Sequence, residues 1–196
     1  MKSFRLAVLA SGGGSNLQSI IDAVEKQKLK SKIICVISNK EDAYALERAR
    51  KHQIQAIYID PETKINGKNY DQQLLETLKQ QKVDLVVLAG YLKIVSPEII
   101  DAYPHQIINI HPSLLPKYGG QGYYGIHVHK SVVEAGDNIS GATVHFVDKG
   151  IDTGEIILQK SISVLEGDSP QTLQKRILEQ VEHKIFVEAI LALEQE

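Results

Sequence analysis

Five short, mainly apolar segments lie within the first 111 residues, and they leave this chain few ways to fold. They are FRLAVLA (4–10), KIICVIS (32–38), AIYID (56–60), VDLVVLAG (83–90) and IINIH (107–111). Apolar runs of this length read as strands buried on both faces of a sheet. The segments between them switch to helical spacing. Leu17, Ile20, Ile21 and Val24 fall at i, i+3, i+4 and i+7, and Tyr70, Leu74, Leu75 and Leu78 mark a second stripe. Ala43 to His52 is rich in helix formers, and Ser96-Pro97 opens a short helix reaching about Ala102. This alternation predicts an α/β fold, a Rossmann-like parallel twisted sheet with helices on both faces. Ligands of such sheets bind beyond the carboxyl ends of the strands. Gly14, Gly90 and His111 each follow a strand and should gather at one edge.

The C-terminal half reads differently. Pro112 and Pro116 end the fifth strand's ladder, and KYGGQGYYGIHVH (117–129) is a glycine-rich loop. A short helix is expected from His129 to Ala135, stopped by Gly136. GATVHFVD (141–148) and GEIILQKSISVL (154–165) read as further strands that extend the sheet. A final helix starts at Ser169-Pro170 and runs to the C-terminus. No linker or repeat interrupts the 196 residues, which are read as a single domain, 1–196.

Composition narrows the function classes. A formal net charge of -2 argues against broad nucleic-acid binding. The apolar run near the N-terminus is too short to span a membrane, so a cytoplasmic protein is expected. The one cysteine, Cys35, sits mid-strand and reads as a buried, inert thiol.

Three stretches could carry chemistry. In SGGGSN (11–16), glycines let backbone N–H groups converge on an anion, and the following helix adds its positive end. It is neither a P-loop nor a full dinucleotide fingerprint, which favours a smaller phosphate; a plain strand-to-helix turn is the other reading. Asn109 and His111 are two apart on an extended strand and face one way. They are either a satisfied polar pair or an acyl-transfer pair, an amide donor for an oxyanion beside an imidazole. Ser113 and Cys35 lack an activating context, so transfer should be direct, without an acyl-enzyme. In DKGIDTG (148–154), Asp152 could pair with His111 and raise its pKa, or the loop could be a simple turn. His127 and His129, with His111 or His145, resemble a metal-ligand set, but their spacing matches no metal motif and no metal is expected. His145 reads as a residue that packs or hydrogen-bonds within the sheet.

On these residues the chain resembles the phosphoribosylglycinamide formyltransferase family, folate-dependent enzymes of purine synthesis. SGGGSNLQSII, SNKEDAYALERAR, VVLAGYLKIVSP, IINIHPSLLPKY, TVHFVDKGIDTG and GDSPQTL with a later EH carry the likeness along essentially the whole chain. The resemblance implies that 10-formyltetrahydrofolate, as cosubstrate, donates a formyl group to the amine of glycinamide ribonucleotide. It implies that Gly14, Ser15 and Asn16 hold the phosphate and that Glu182 recognises the amine end. Leu92, Lys93, Ile94 and Val95 would line the folate pocket and the loop Asp148 to Asp152 would close on the pterin; the family's basic residue near the folate tail falls at about Gly67, and the neighbouring Lys68 is expected to serve in its place. Asn109, His111 and Asp152 would be the catalytic trio. The sequence departs from the family at Gly13, at Lys93, in the longer 118–129 loop, and in one extra residue between Arg176 and Glu182.

Two other readings compete. A formyltetrahydrofolate deformylase or a methionyl-tRNA formyltransferase would share the core, but each is expected to carry a further domain. A non-catalytic nucleotide sensor would leave the trio unexplained. The partners expected are small molecules, with no nucleic acid and no membrane, and the chain is read as a monomer or homodimer.

Overall fold

The computed structural model describes residues 2–196. Seven strands form one sheet: β1 (Arg5–Leu9), β2 (Lys32–Ser38), β3 (Gln55–Tyr58), β4 (Leu85–Leu88), β5 (Ile107–His111), β6 (Ile139–Phe146) and β7 (Ile156–Ser163). Their order is β3-β2-β1-β4-β5-β6-β7. The first five run parallel, and β6 and β7 add antiparallel to β5. The expected Rossmann-like half with an extension is therefore observed. The helices are α1 (Ser15–Glu25), α2 (Tyr44–Lys51), α3 (Tyr70–Gln80), α4 (Pro97–Ala102), α5 (Ile126–Glu134), α6 (Pro170–Ile177) and α7 (His183–Gln195).

The two-residue period of β1 divides the core. Leu6 and Val8 join a cluster with Leu17, Ile20, Leu46 and Phe186, while Ala7 and Leu9 join another with Leu74, Leu78 and Ile99. One strand thus serves two apolar faces, as an unbroken hydrophobic run requires. Cys35 lies in the second cluster, where burial pushes its thiol up to about 11. No helix among the described residues is long and apolar enough to cross a membrane.

Two expectations need correction. α5 starts at Ile126, not His129, because Val128 and His129 are already buried against the body of the protein. The expected last helix is two helices joined by a π-helical turn, Leu178–Glu182. Such a turn accommodates one extra residue without breaking the helix.

Candidate active site

The chain reverses its direction of travel across the sheet between β1 and β4, so the loops leaving those strands diverge and open a crevice. Ser11 ties the two loops together. Its N–H donates to Gly90 O at 3.0 Å, and its Oγ accepts the Leu92 N–H at 2.9 Å. A cavity of about 960 Å³ fills this crevice and continues to β5 and the loop after β6.

One end of the cavity suits an anion. Gly12, Gly13, Gly14 and Ser15 line it where α1 begins. Gly14 has φ +70°, and a Cβ there would lie 2.9 Å from the Ala45 Cβ, so only glycine fits. The first turn of α1 leaves its N–H groups unpaired, and no acidic residue occupies that turn. Asn16 reaches inward, its Nδ2 donating to Glu182 Oε2 at 2.7 Å. The Asn16 Oδ1 is buried without a partner. Burial of Glu182 pushes its carboxyl up to about 7, against the lowering hydrogen bond from Asn16. The π turn ends at Glu182, so the extra residue is absorbed just before it and the carboxylate still meets Asn16.

Asn109, His111 and Asp152 line the same cavity. Antiparallel pairing sets Asn109 directly opposite His145. His145 Nδ1 lies 2.8 Å from Phe146 O, which can only accept, so the ring proton sits on Nδ1. Its Nε2 then accepts from Asn109 Nδ2 at 3.2 Å and orients that amide. His111 Nε2 donates to Tyr118 O at 2.7 Å, and its Nδ1 lies 3.4 Å from Asp152 Oδ2. Both ring nitrogens thus face acceptors, an arrangement that suits the protonated ring. Burial opposes that charge and outweighs the upward pull of Asp152 and of the Tyr118 carbonyl, so His111 titrates below the ordinary histidine range. Asp152 pulls His111 upward as expected, but a net raised value is not observed.

Asp152 has φ +58°, a left-handed conformation uncommon outside glycine. Its Oδ2 accepts the Gly120 N–H at 3.0 Å, and its Oδ1 lies 3.6 Å from His145 Nε2. Burial works against its ionisation, but neighbours including His111 and the Gly120 N–H hold the carboxyl below the usual range. A Cβ on Gly119 would come within 2.5 Å of Leu115 Cδ2 and 3.3 Å of Asp152 Cβ, which explains a glycine where the loop crosses the carboxylate.

Another part of the cavity wall is apolar. Leu92 and Ile94 are 57% and 70% exposed, unusual for such side chains, and both line it together with Lys93 and the buried Val95. The Lys93 ammonium lies 5.1 Å from the Tyr70 ring centroid. Asp148 also lines the cavity, yet its Oδ1 accepts from Gly150 N and Thr153 Oγ1, which shapes the turn. No group of three or more His, Cys, Asp or Glu among the described residues could hold a metal.

Residues 4–190 match the formyl transferase family. The chain belongs to that family. It is 44% identical over 183 residues to phosphoribosylglycinamide formyltransferase of Haemophilus influenzae, covering 93% of this chain and 83% of the relative. It is 40% identical over 194 residues to the chloroplastic phosphoribosylglycinamide formyltransferase of Arabidopsis thaliana, covering 98% of this chain but only 66% of that longer relative. The crystal structure of glycinamide ribonucleotide transformylase 1 from Symbiobacterium toebii superposes with a TM-score of 0.91 at 41% identity, covering 98% of this chain and 88% of that one.

Within this formyl transferase fold, the cavity brings together every expected site residue except Lys68. Lys68 does not line it, and its ammonium pairs with Glu76 at 2.7 Å. Sequence reasoning missed His145 as a member of the site, although its even spacing from Thr143 would have placed it opposite Asn109 once β5 and β6 were paired. It also missed His129, buried in the cavity wall, where burial lowers its pKa to about 4 and the Nδ1 has no partner. The Ser113 hydroxyl donates to Lys117 O at 2.6 Å and does not line the cavity.

Proposed function

We propose that this formyl transferase moves the formyl group of 10-formyltetrahydrofolate to the amine of glycinamide ribonucleotide, giving formylglycinamide ribonucleotide and tetrahydrofolate. The observation that carries the reading is that one cavity is lined by an anion loop, by the exposed Leu92 and Ile94, and by Asn109, His111 and Asp152. The names of the relatives support it. The single sheet supports treating residues 1–196 as one catalytic domain.

On this reading Gly14, Ser15 and Asn16 receive the phosphate. The ionised Glu182 receives the amine end. Leu92, Lys93, Ile94, Val95 and the Asp148 to Asp152 loop hold the folate ring. The neutral amine attacks the formyl carbon, and a tetrahedral intermediate forms with its charge on oxygen. Asn109, its amide already aimed by His145, donates one hydrogen bond to that oxygen. His111 Nε2 exchanges the Tyr118 carbonyl for the same oxygen, and the negative charge developing there joins Asp152 at the other nitrogen in favouring the positive ring that burial disfavours in the free protein. A water at Asp152 takes the proton from the attacking nitrogen and returns it to N10 of the folate as the C–N10 bond breaks.

The test is an assay with purified protein, glycinamide ribonucleotide and 10-formyltetrahydrofolate. Formylated ribonucleotide in step with tetrahydrofolate is the expected result. No product would overturn the proposal, and formate released without an acceptor would make the chain a deformylase.

A further inference from the structure

The anion loop is held from behind by α2. Gly12 O accepts the Ala45 N–H at 3.0 Å, and Gly13 O accepts Arg48 Nε at 2.8 Å. Both peptides are trans, because the only cis bond among the described residues is Leu115-Pro116. In a trans peptide the N–H points opposite to the carbonyl. Drawing the carbonyls of Gly12 and Gly13 toward α2 therefore turns the N–H groups of Gly13 and Gly14 away from it. Gly12, Gly13 and Gly14 line the cavity on that far side, whereas Arg48 does not line it.

Arg48 is itself fixed. One guanidinium nitrogen donates to Gln18 Oε1 at 2.9 Å, and the group lies 5.0 Å from the Tyr44 ring centroid. Gln18 is held in turn, its Nε2 donating to Asp22 Oδ1 at 2.9 Å and lying 3.2 Å from His52 Nε2. A planar fork satisfies two acceptors at once, which a lysine ammonium does less well. The restraint has a physical purpose. A peptide between two glycines flips at little steric cost, and a flip would turn a carbonyl oxygen toward the ligand's phosphate.

We propose that Arg48 is a positioning residue for the phosphate end of the ribonucleotide site, acting by locking the Gly13–Gly14 peptide with its N–H toward the cavity. The proposal rests on the formyl-transfer reading above.

The experiment compares wild type, Arg48→Met and Arg48→Lys with glycinamide ribonucleotide and with the unphosphorylated ribonucleoside as acceptors. In Arg48→Met the KM for the ribonucleotide should rise roughly tenfold or more, as loss of a charge-assisted hydrogen bond implies. Its kcat, the KM for folate and kcat/KM for the ribonucleoside should stay unchanged, and Arg48→Lys should rescue only partly. An unchanged ribonucleotide KM, an equal loss with both acceptors, or full rescue by lysine would overturn the proposal. Absent turnover in wild type would count against formyl transfer instead. Calorimetric titration of the ribonucleotide into wild type and Arg48→Met would then decide, and equal Kd values would overturn the role of Arg48.

Discussion

Asn109 and His145 face each other across β5 and β6, with His145 Nε2 3.2 Å from Asn109 Nδ2. The bond fixes which end of the amide faces the imidazole, and so which hydrogen remains for an oxyanion. Replacing His145 with Phe removes the acceptor while filling similar space. Turnover should fall on the order of tenfold to a hundredfold, with the KM for both substrates little changed. An unaltered kcat would show that the Asn109 amide needs no such partner.

Asp152 is the only carboxylate that approaches His111 among the described ion pairs, at 3.4 Å. Asp152→Asn should reduce kcat on the order of a hundredfold or more while sparing affinity. The same variant should move the His111 pKa further down, because it removes an upward pull and leaves burial in place. Titration of the ring by NMR would show this, and an upward movement would contradict the assignment.

Glu182 gives a pH dependence of definite sign. Its ordinary value is 4.5 and burial raises it to about 7. The free protein therefore holds this side chain protonated in mildly acid solution, where it attracts an ammonium group poorly. Affinity for the ribonucleotide should rise as pH increases through about 7, and Glu182→Gln should weaken binding and flatten that limb. Stability should change in the opposite sense. The raised pKa contributes stability fully present below 4.5 and lost as pH rises through about 7. Urea unfolding at alkaline pH should find Glu182→Gln more stable than wild type.

Glu194, fully buried at the end of α7, accepts the Ser31 N–H at 2.7 Å and the Lys30 N–H at 3.1 Å. Glu194→Ala strips both donors of their partner just before β2. Ser31 is buried, and a buried donor so orphaned costs about 1–3 kcal/mol, so the urea midpoint should drop clearly. Kinetic constants measured well below that midpoint should hold, because Glu194 lies outside the cavity.

The sheet was legible because residues such as Leu6, Ala7, Val8 and Leu9 must all be apolar when both faces are covered. The same-side placement of Asn109 and His111 was equally legible, since strand geometry dictates it, and both line the cavity. His145 was not, because its role depends on the register between two strands that lie 36 residues apart at the contact. Lys68 lies outside the cavity lining, where its ammonium finds a local carboxylate, Glu76, a pairing that a tail contact would have to replace. The net titration of His111 was also hidden, since burial depends on everything that surrounds the ring and not on one neighbour.

The π turn before α7 bears on how this site can vary. Upstream, Leu173 and Ile177 anchor α6; downstream, Ile185, Phe186 and Ala189 anchor α7. An ordinary α-helix advances about 100° per residue, so a residue added within either anchored half would rotate everything beyond it. Placed in the wide turn, the addition lets both halves keep their docking while Glu182 still points at Asn16. The junction works as an adjustable coupling: chain length can drift there by a residue, and the carboxylate that meets Asn16 keeps its bearing.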